Sequence, residues 1–153
     1  MKTKTSLITL ALFLATGTFS FANPQMGTWK LDEAKSKITP GTMKNNMVIY
    51  EAAGDKIKVV VEGTNANGKA TRNEWTGKFD GKDYPVTGDP TSDARSYKQV
   101  NDRTLEFAVK KDGKVTVTGR TVVAPDGKTR TVTTSGTDAK GKKFTNTSVY
   151  DKQ

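Results

Sequence analysis

After residue 45 the chain alternates apolar and polar residues almost one for one. Ile57, Val59 and Val61 fall on one side of an extended backbone, with Lys58 and Glu62 on the other. Leu105, Phe107 and Val109 alternate with Glu106 and Lys110, and Val115 and Val117 with Thr116 and Thr118. A period of two means that one face of each strand is buried and the other is wet. Runs of this kind predict strands near 27–32, 45–52, 56–64, 69–79, 82–87, 94–100, 104–111, 114–124, 128–137 and 142–151.

The runs are separated by turn chemistry: Ala53-Gly54-Asp55, Asn65-Ala66-Asn67-Gly68, Asp80-Gly81, Thr87-Gly88-Asp89-Pro90, Asn101-Asp102, Asp112-Gly113, Pro125-Asp126-Gly127 and Asp138-Ala139-Lys140-Gly141. Asn-Gly and Asp-Gly suit tight hairpins because both residues tolerate positive φ. Connections this short cannot carry the helices that a parallel sheet needs. The expected fold is therefore all-β, an antiparallel up-and-down meander of about eight to ten strands. An open meander of that length would expose two long edges, and closure into a barrel removes them. Residues 33–44 break the pattern. Glu33–Lys37 could form a single helical turn, ended by Pro40-Gly41.

The first 22 residues read differently. Lys2 and Lys4 precede an uncharged apolar stretch, Ser6–Phe21, and Ser20-Phe21-Ala22 puts small residues at the −3 and −1 positions of a cleavage site. This is the pattern of a cleaved secretory signal. The stretch is interrupted by Thr16, Gly17, Thr18 and Ser20, so stable membrane insertion is not expected. The expected organisation is a signal peptide at 1–22 and a single domain at 23–153, periplasmic or secreted after cleavage near Ala22-Asn23.

Composition then removes chemistry. The chain has no Cys and no His. That excludes a disulfide framework, the usual general base and imidazole metal ligation. The formal charge of +9 falls to +7 without Lys2 and Lys4. The remaining basic residues are spread along the chain and mark hairpin ends, so nucleic acid is not an expected partner. Weak attraction to anionic surfaces is compatible with the charge.

Three constellations could carry chemistry. Arg120 and Arg130 flank Pro125-Asp126-Gly127. A three-residue loop would put both guanidiniums on one face, able to grip a carboxylate or phosphate, whereas a two-residue loop would point them to opposite faces. Asp80, Asp83, Asp89 and Asp93 could offer oxygen ligands to Ca²⁺, but their spacing is not that of a calcium loop, and Asp is a favoured turn residue. Glu62, Glu74 and Glu106 lie within strands at no spacing that indicates a catalytic pair. No metal, no cofactor and no enzymatic activity is expected.

Gly27-Thr28-Trp29-Lys30-Leu31 resembles the G-x-W start of the calycins, the superfamily of lipocalins and fatty-acid-binding proteins, and Asn146–Lys152 resembles the last strand of the latter. More closely, the chain resembles small exported bacterial proteins that carry GTWKL…AKSK, YEAAGD, DGKDYPVTG and GTDAKGK stretches, here Gly27–Leu31, Ala34–Lys37, Tyr50–Asp55, Asp80–Gly88 and Gly136–Lys142. The calycin resemblance implies a lipocalin-like barrel with Trp29 at its closed end. It also implies Tyr150 as a ligand contact. The family's last-strand Arg is Ser148 here, which implies little dependence on a carboxylate head group, and residues 33–44 are too short for the family's helical lid. Arg120, Arg130 and Tyr150 are the candidate ligand-binding residues. The expected function is a non-enzymatic binding module for a small apolar or amphiphilic ligand. The alternative is a structural or interaction protein of the cell envelope with a filled barrel and a basic surface.

Overall fold

A computed structural model describes residues 23–153, so the expected signal peptide lies outside the described residues. Ten antiparallel strands follow one another: β1 (Gly27–Lys37), β2 (Lys44–Ala53), β3 (Lys56–Thr64), β4 (Ala70–Gly77), β5 (Asp80–Thr87), β6 (Ala94–Asn101), β7 (Thr104–Lys111), β8 (Lys114–Val123), β9 (Thr129–Thr137) and β10 (Lys143–Lys152). Each pairs with its neighbour in sequence, and β10 returns to pair with β1. The sheet is thereby closed into a barrel, most thinly between β4 and β5, which share only the pairs Glu74–Thr87 and Trp75–Val86.

The turns behave as their residues dictate. Asp112 and Gly113 both take positive φ, 49° and 76°, between the paired Lys111 and Lys114. This is the mirror-image turn whose twist matches that of the flanking strands. The expected helical turn at Glu33–Lys37 does not form. β1 runs through it, with an irregularity in its pairing to β10 between Asp32 and Lys37. The bend is held by the Asp32 side chain, which accepts from the Lys35 amide at 3.2 Å, and by Ser36 Oγ, which donates to the Asp32 carbonyl at 2.6 Å and accepts from the Val149 amide at 2.9 Å. Pairing to β10 on either side of the bend, at Asp32–Val149 and Lys37–Thr147, holds the segment extended where a lone helical turn would be marginal.

One end of the barrel is a packed floor. Trp29, Leu105, Val59 and Val123 are fully buried there. Trp29 Nε1 donates to the Gln25 carbonyl at 2.9 Å, and Gln25 Nε2 donates to the Arg103 carbonyl at 3.1 Å, so residues 23–26 fold under the strands. Trp29 therefore closes this end, as the calycin resemblance implies. An aromatic cluster packs beside this floor, with Tyr50 and Trp75 paired across to Val59. The Trp75 and Tyr97 rings meet edge-on at 4.8 Å, and Phe79 packs against Tyr50, Trp75 and Tyr97 at 6.3, 6.3 and 5.7 Å. Inward glycines make room for rings. A Cβ at Gly119 would overlap the Phe107 ring, and one at Gly77 would overlap Tyr84 and Trp75. Toward the opposite end, on the β7–β9 side, the inward positions Val109, Val117, Val132 and Thr134 are only half-buried.

Candidate functional site

Strand alternation sends two arginines into the barrel. On β9, Arg130 is in phase with Val132, pairs across to Tyr150 of β10 and Val123 of β8, and is 2% exposed. On β6, Arg95 is in phase with Tyr97 and is 7% exposed. A charge on an inward, apolar-phase position is taken out of water at a cost of several kcal/mol unless something compensates it.

Compensation at Arg130 comes from rings. Its guanidinium carbon lies 4.9 Å from the Trp29 ring, 5.0 Å from Tyr50 and 4.9 Å from Tyr150. Three π faces attract the cation but accept none of its N–H bonds in full. Nε and Nη1 are buried with no hydrogen-bond partner among the described residues. Arg95 is better held. Nη2 donates to Asn73 Oδ1 at 3.2 Å and Nη1 reaches the Tyr97 hydroxyl at 3.5 Å, yet its Nε is again buried and unpartnered.

Tyr97 and Tyr150, beside these cations, hold their phenol protons tightly. Burial, the largest cause, pushes the Tyr97 hydroxyl up to about 12, with Tyr50 adding to the rise and the guanidiniums of Arg95 and Arg130 opposing it. Burial likewise pushes Tyr150 up to about 12 against the opposing pull of Arg130. Tyr150 donates its proton to the Asn45 carbonyl at 2.9 Å. Neither phenol is a counter-ion at neutral pH.

The carboxylates are elsewhere. Glu106 meets Arg120 at 2.6 Å on the outer surface, and Glu74 meets Arg72 at 2.6 Å and Lys58 at 3.2 Å. Glu62 lies 3.6 Å from Arg72. Asp83 is 2.6 Å from Lys110. Asp80 accepts from the Lys82 amide and the Tyr84 hydroxyl, Asp89 from Thr91 and Ser92, and Asp93 from the Asp112 amide. Their oxygens serve turns and surface pairs. Among the described residues no three metal-ligand-type side chains converge.

Of the three expected ligand contacts, the structure brings two together. Arg130 and Tyr150 face each other across β9 and β10. Arg120 does not join them. The β8–β9 register pairs Val123 with Arg130 and Arg120 with Thr133, so Arg120 points outward. The connection is tied by Ala124 and Thr129, whose amide and carbonyl bond at 2.9 Å, leaving Pro125–Lys128 as an even-numbered loop, and an even loop sends the two arginines to opposite faces. Sequence reasoning missed Arg95, Asn73, Tyr50 and Tyr97 as a cluster. The available signal was phase: Arg95 keeps step with Tyr97, and Arg130 with Val132.

No protein-family model matches the chain, and no curated protein matches it. Among solved structures it is similar to a redesigned β-barrel, mFAP1, bound to DFHBI, at 14% identity and a TM-score of 0.44, over 84% of this chain and 95% of that one. That likeness concerns the fold alone.

Proposed function

We propose that this barrel is a non-enzymatic binding module for a small amphiphilic molecule, held by an anionic head group at Arg130 with its apolar part toward the half-buried end. It works after export, in the periplasm or outside the cell, on the strength of the signal-like residues 1–22. The observation that carries the reading is the buried Arg130 with unpartnered N–H groups and no carboxylate beside it. An interior that keeps such a cation gains most when an anion enters. The departure at Ser148 loses its force, because Arg130 supplies a guanidinium at the level of Tyr150 from the adjacent strand.

The test is saturation binding of decanoate and decanol to the mature protein, followed by aromatic emission. A charge-assisted contact is worth about 1.5–3 kcal/mol, roughly ten- to a hundredfold in affinity. The acid is expected to bind at least tenfold tighter, and Arg130→Met to erase the difference. Equal binding of the two would return the reading to a neutral apolar ligand. The rival reading, a filled envelope protein, draws on the packed floor around Trp29 and Leu105. Absence of saturable binding by any anionic or neutral amphiphile would favour it.

A further inference from the structure

The interior holds two cations, not one. Arg130 rests on Tyr50 at 5.0 Å, the Tyr50 ring meets Tyr97 at 6.4 Å, and the Tyr97 hydroxyl lies 3.5 Å from Arg95 Nη1. The two guanidiniums are thus the ends of one continuous chain of contacts. Three of their N–H-bearing nitrogens, Arg130 Nε and Nη1 and Arg95 Nε, are buried without a partner. Every oxygen that these two arginines do meet is uncharged: the Asn73 amide and the Tyr97 hydroxyl. On the strands beside β6 and β9, Glu106 pairs with Arg120, Asp83 with Lys110, Asp80 accepts from the Tyr84 hydroxyl, and Asp151 alternates with the inward Tyr150. The interior is therefore two negative charges short of neutrality, because a guanidinium keeps its charge inside proteins.

We propose that the head group this barrel takes is a dianion, a phosphate monoester in its fully ionised form, with Arg130 as one anchor and Arg95, held by Asn73, as the other. The proposal rests on the binding reading above and adds the charge and shape of the head group. A phosphate monoester presents three strong acceptor oxygens and close to two negative charges above its second ionisation. Its two negative charges match the two guanidinium charges, and its oxygens suit nitrogens that lack an acceptor. A carboxylate offers two oxygens and one charge, and would leave Arg95 as it stands.

The chain's lack of His makes the test clean. The charged and titratable groups that face the two arginines are Tyr50, Tyr84, Tyr97 and Tyr150, with Lys152 on the Trp29 ring at 5.2 Å, and none of these residue types ordinarily titrates between pH 5 and pH 8. The phosphate's second ionisation, near 6, does fall there. Octyl phosphate and octyl sulfate, both below their micellar concentrations, are titrated into the mature protein at pH 5 and pH 8. Octyl sulfate has the same tetrahedral shape and one charge throughout. Affinity for the phosphate is expected to rise at least tenfold between the two pH values, while affinity for the sulfate stays level. Arg95→Gln is expected to keep sulfate binding and lose the phosphate's gain. Should that variant fail to fold by circular dichroism, the comparison of the two ligands on the unaltered protein still decides. Level, equal binding of both ligands at both pH values overturns the dianion proposal and leaves the anion-binding reading intact. Failure of both ligands to bind overturns that reading as well.

Discussion

Replacing Arg130 by Met is expected to make the unliganded protein more stable while removing its response to anions. The magnitude follows from the surroundings of the side chain. Two unpartnered buried nitrogens cost about 1–3 kcal/mol each, and the desolvated charge adds several kcal/mol more. Three ring contacts offset this by about 0.5–2 kcal/mol each. Exchanging a poorly compensated buried charge for an apolar side chain of similar length is then expected to gain about 1–4 kcal/mol. At this chain length 1 kcal/mol corresponds to roughly 4 °C in melting temperature. The variant is expected to melt roughly 4–16 °C higher by scanning calorimetry at pH 7, in a buffer free of phosphate and amphiphiles. Adding decanoate is expected to raise the melting temperature of the unaltered protein and leave that of the variant in place. A variant that melts more than about 5 °C lower would refute the reasoning, since the rings would then compensate the cation fully and Arg130 would be a structural residue. A function that is retained against stability is the ordinary signature of a binding site.

Two further outcomes follow from the same interior. Gly119→Ala places a methyl group in the Phe107 ring and is expected to cost about 1–3 kcal/mol by urea denaturation, with Phe107→Leu recovering part of the loss in the double variant. Tyr97 and Tyr150 have folded-state hydroxyls raised to about 12 from an ordinary 10, so the folded state holds these protons more tightly. Their contribution is fully present below pH 10 and is lost as pH rises from 10 toward 12. Melting temperature is expected to fall steeply across that window, and Tyr97→Phe to flatten the fall. An unchanged profile in the variant would show that some other group governs alkaline unfolding.

How much of this was legible in the chain depends on the range over which each feature is decided. Strand and turn positions are local. Val59 and Val61 against Lys58 and Glu62 settle a face, and Asp112-Gly113 settles a hairpin, because φ preferences and side-chain alternation act within a few residues. Ten such units in succession, with no connection long enough to cross the sheet, leave a meander with edges to hide. The barrel was therefore legible in the sequence. The bend at Asp32–Lys37 was not, because the segment is kept extended by its pairing with β10, more than a hundred residues away in sequence.

The site belongs to the tertiary structure for the same reason. Whether Arg120 and Arg130 share a face turns on one residue of loop length, and a one-residue change of register flips every side chain beyond it. The sequence by itself determined that Arg130 keeps step with Val132 and Arg95 with Tyr97. Only the closure of β10 onto β1 decided what Arg130 meets. It brings Trp29 from the first strand, Tyr50 from the second and Tyr150 from the last around one guanidinium, and it leaves the acidic side chains of the neighbouring strands outside. Alternation assigns a residue to the inside, but the partners it finds there are set by strands that are neighbours only once the sheet has closed.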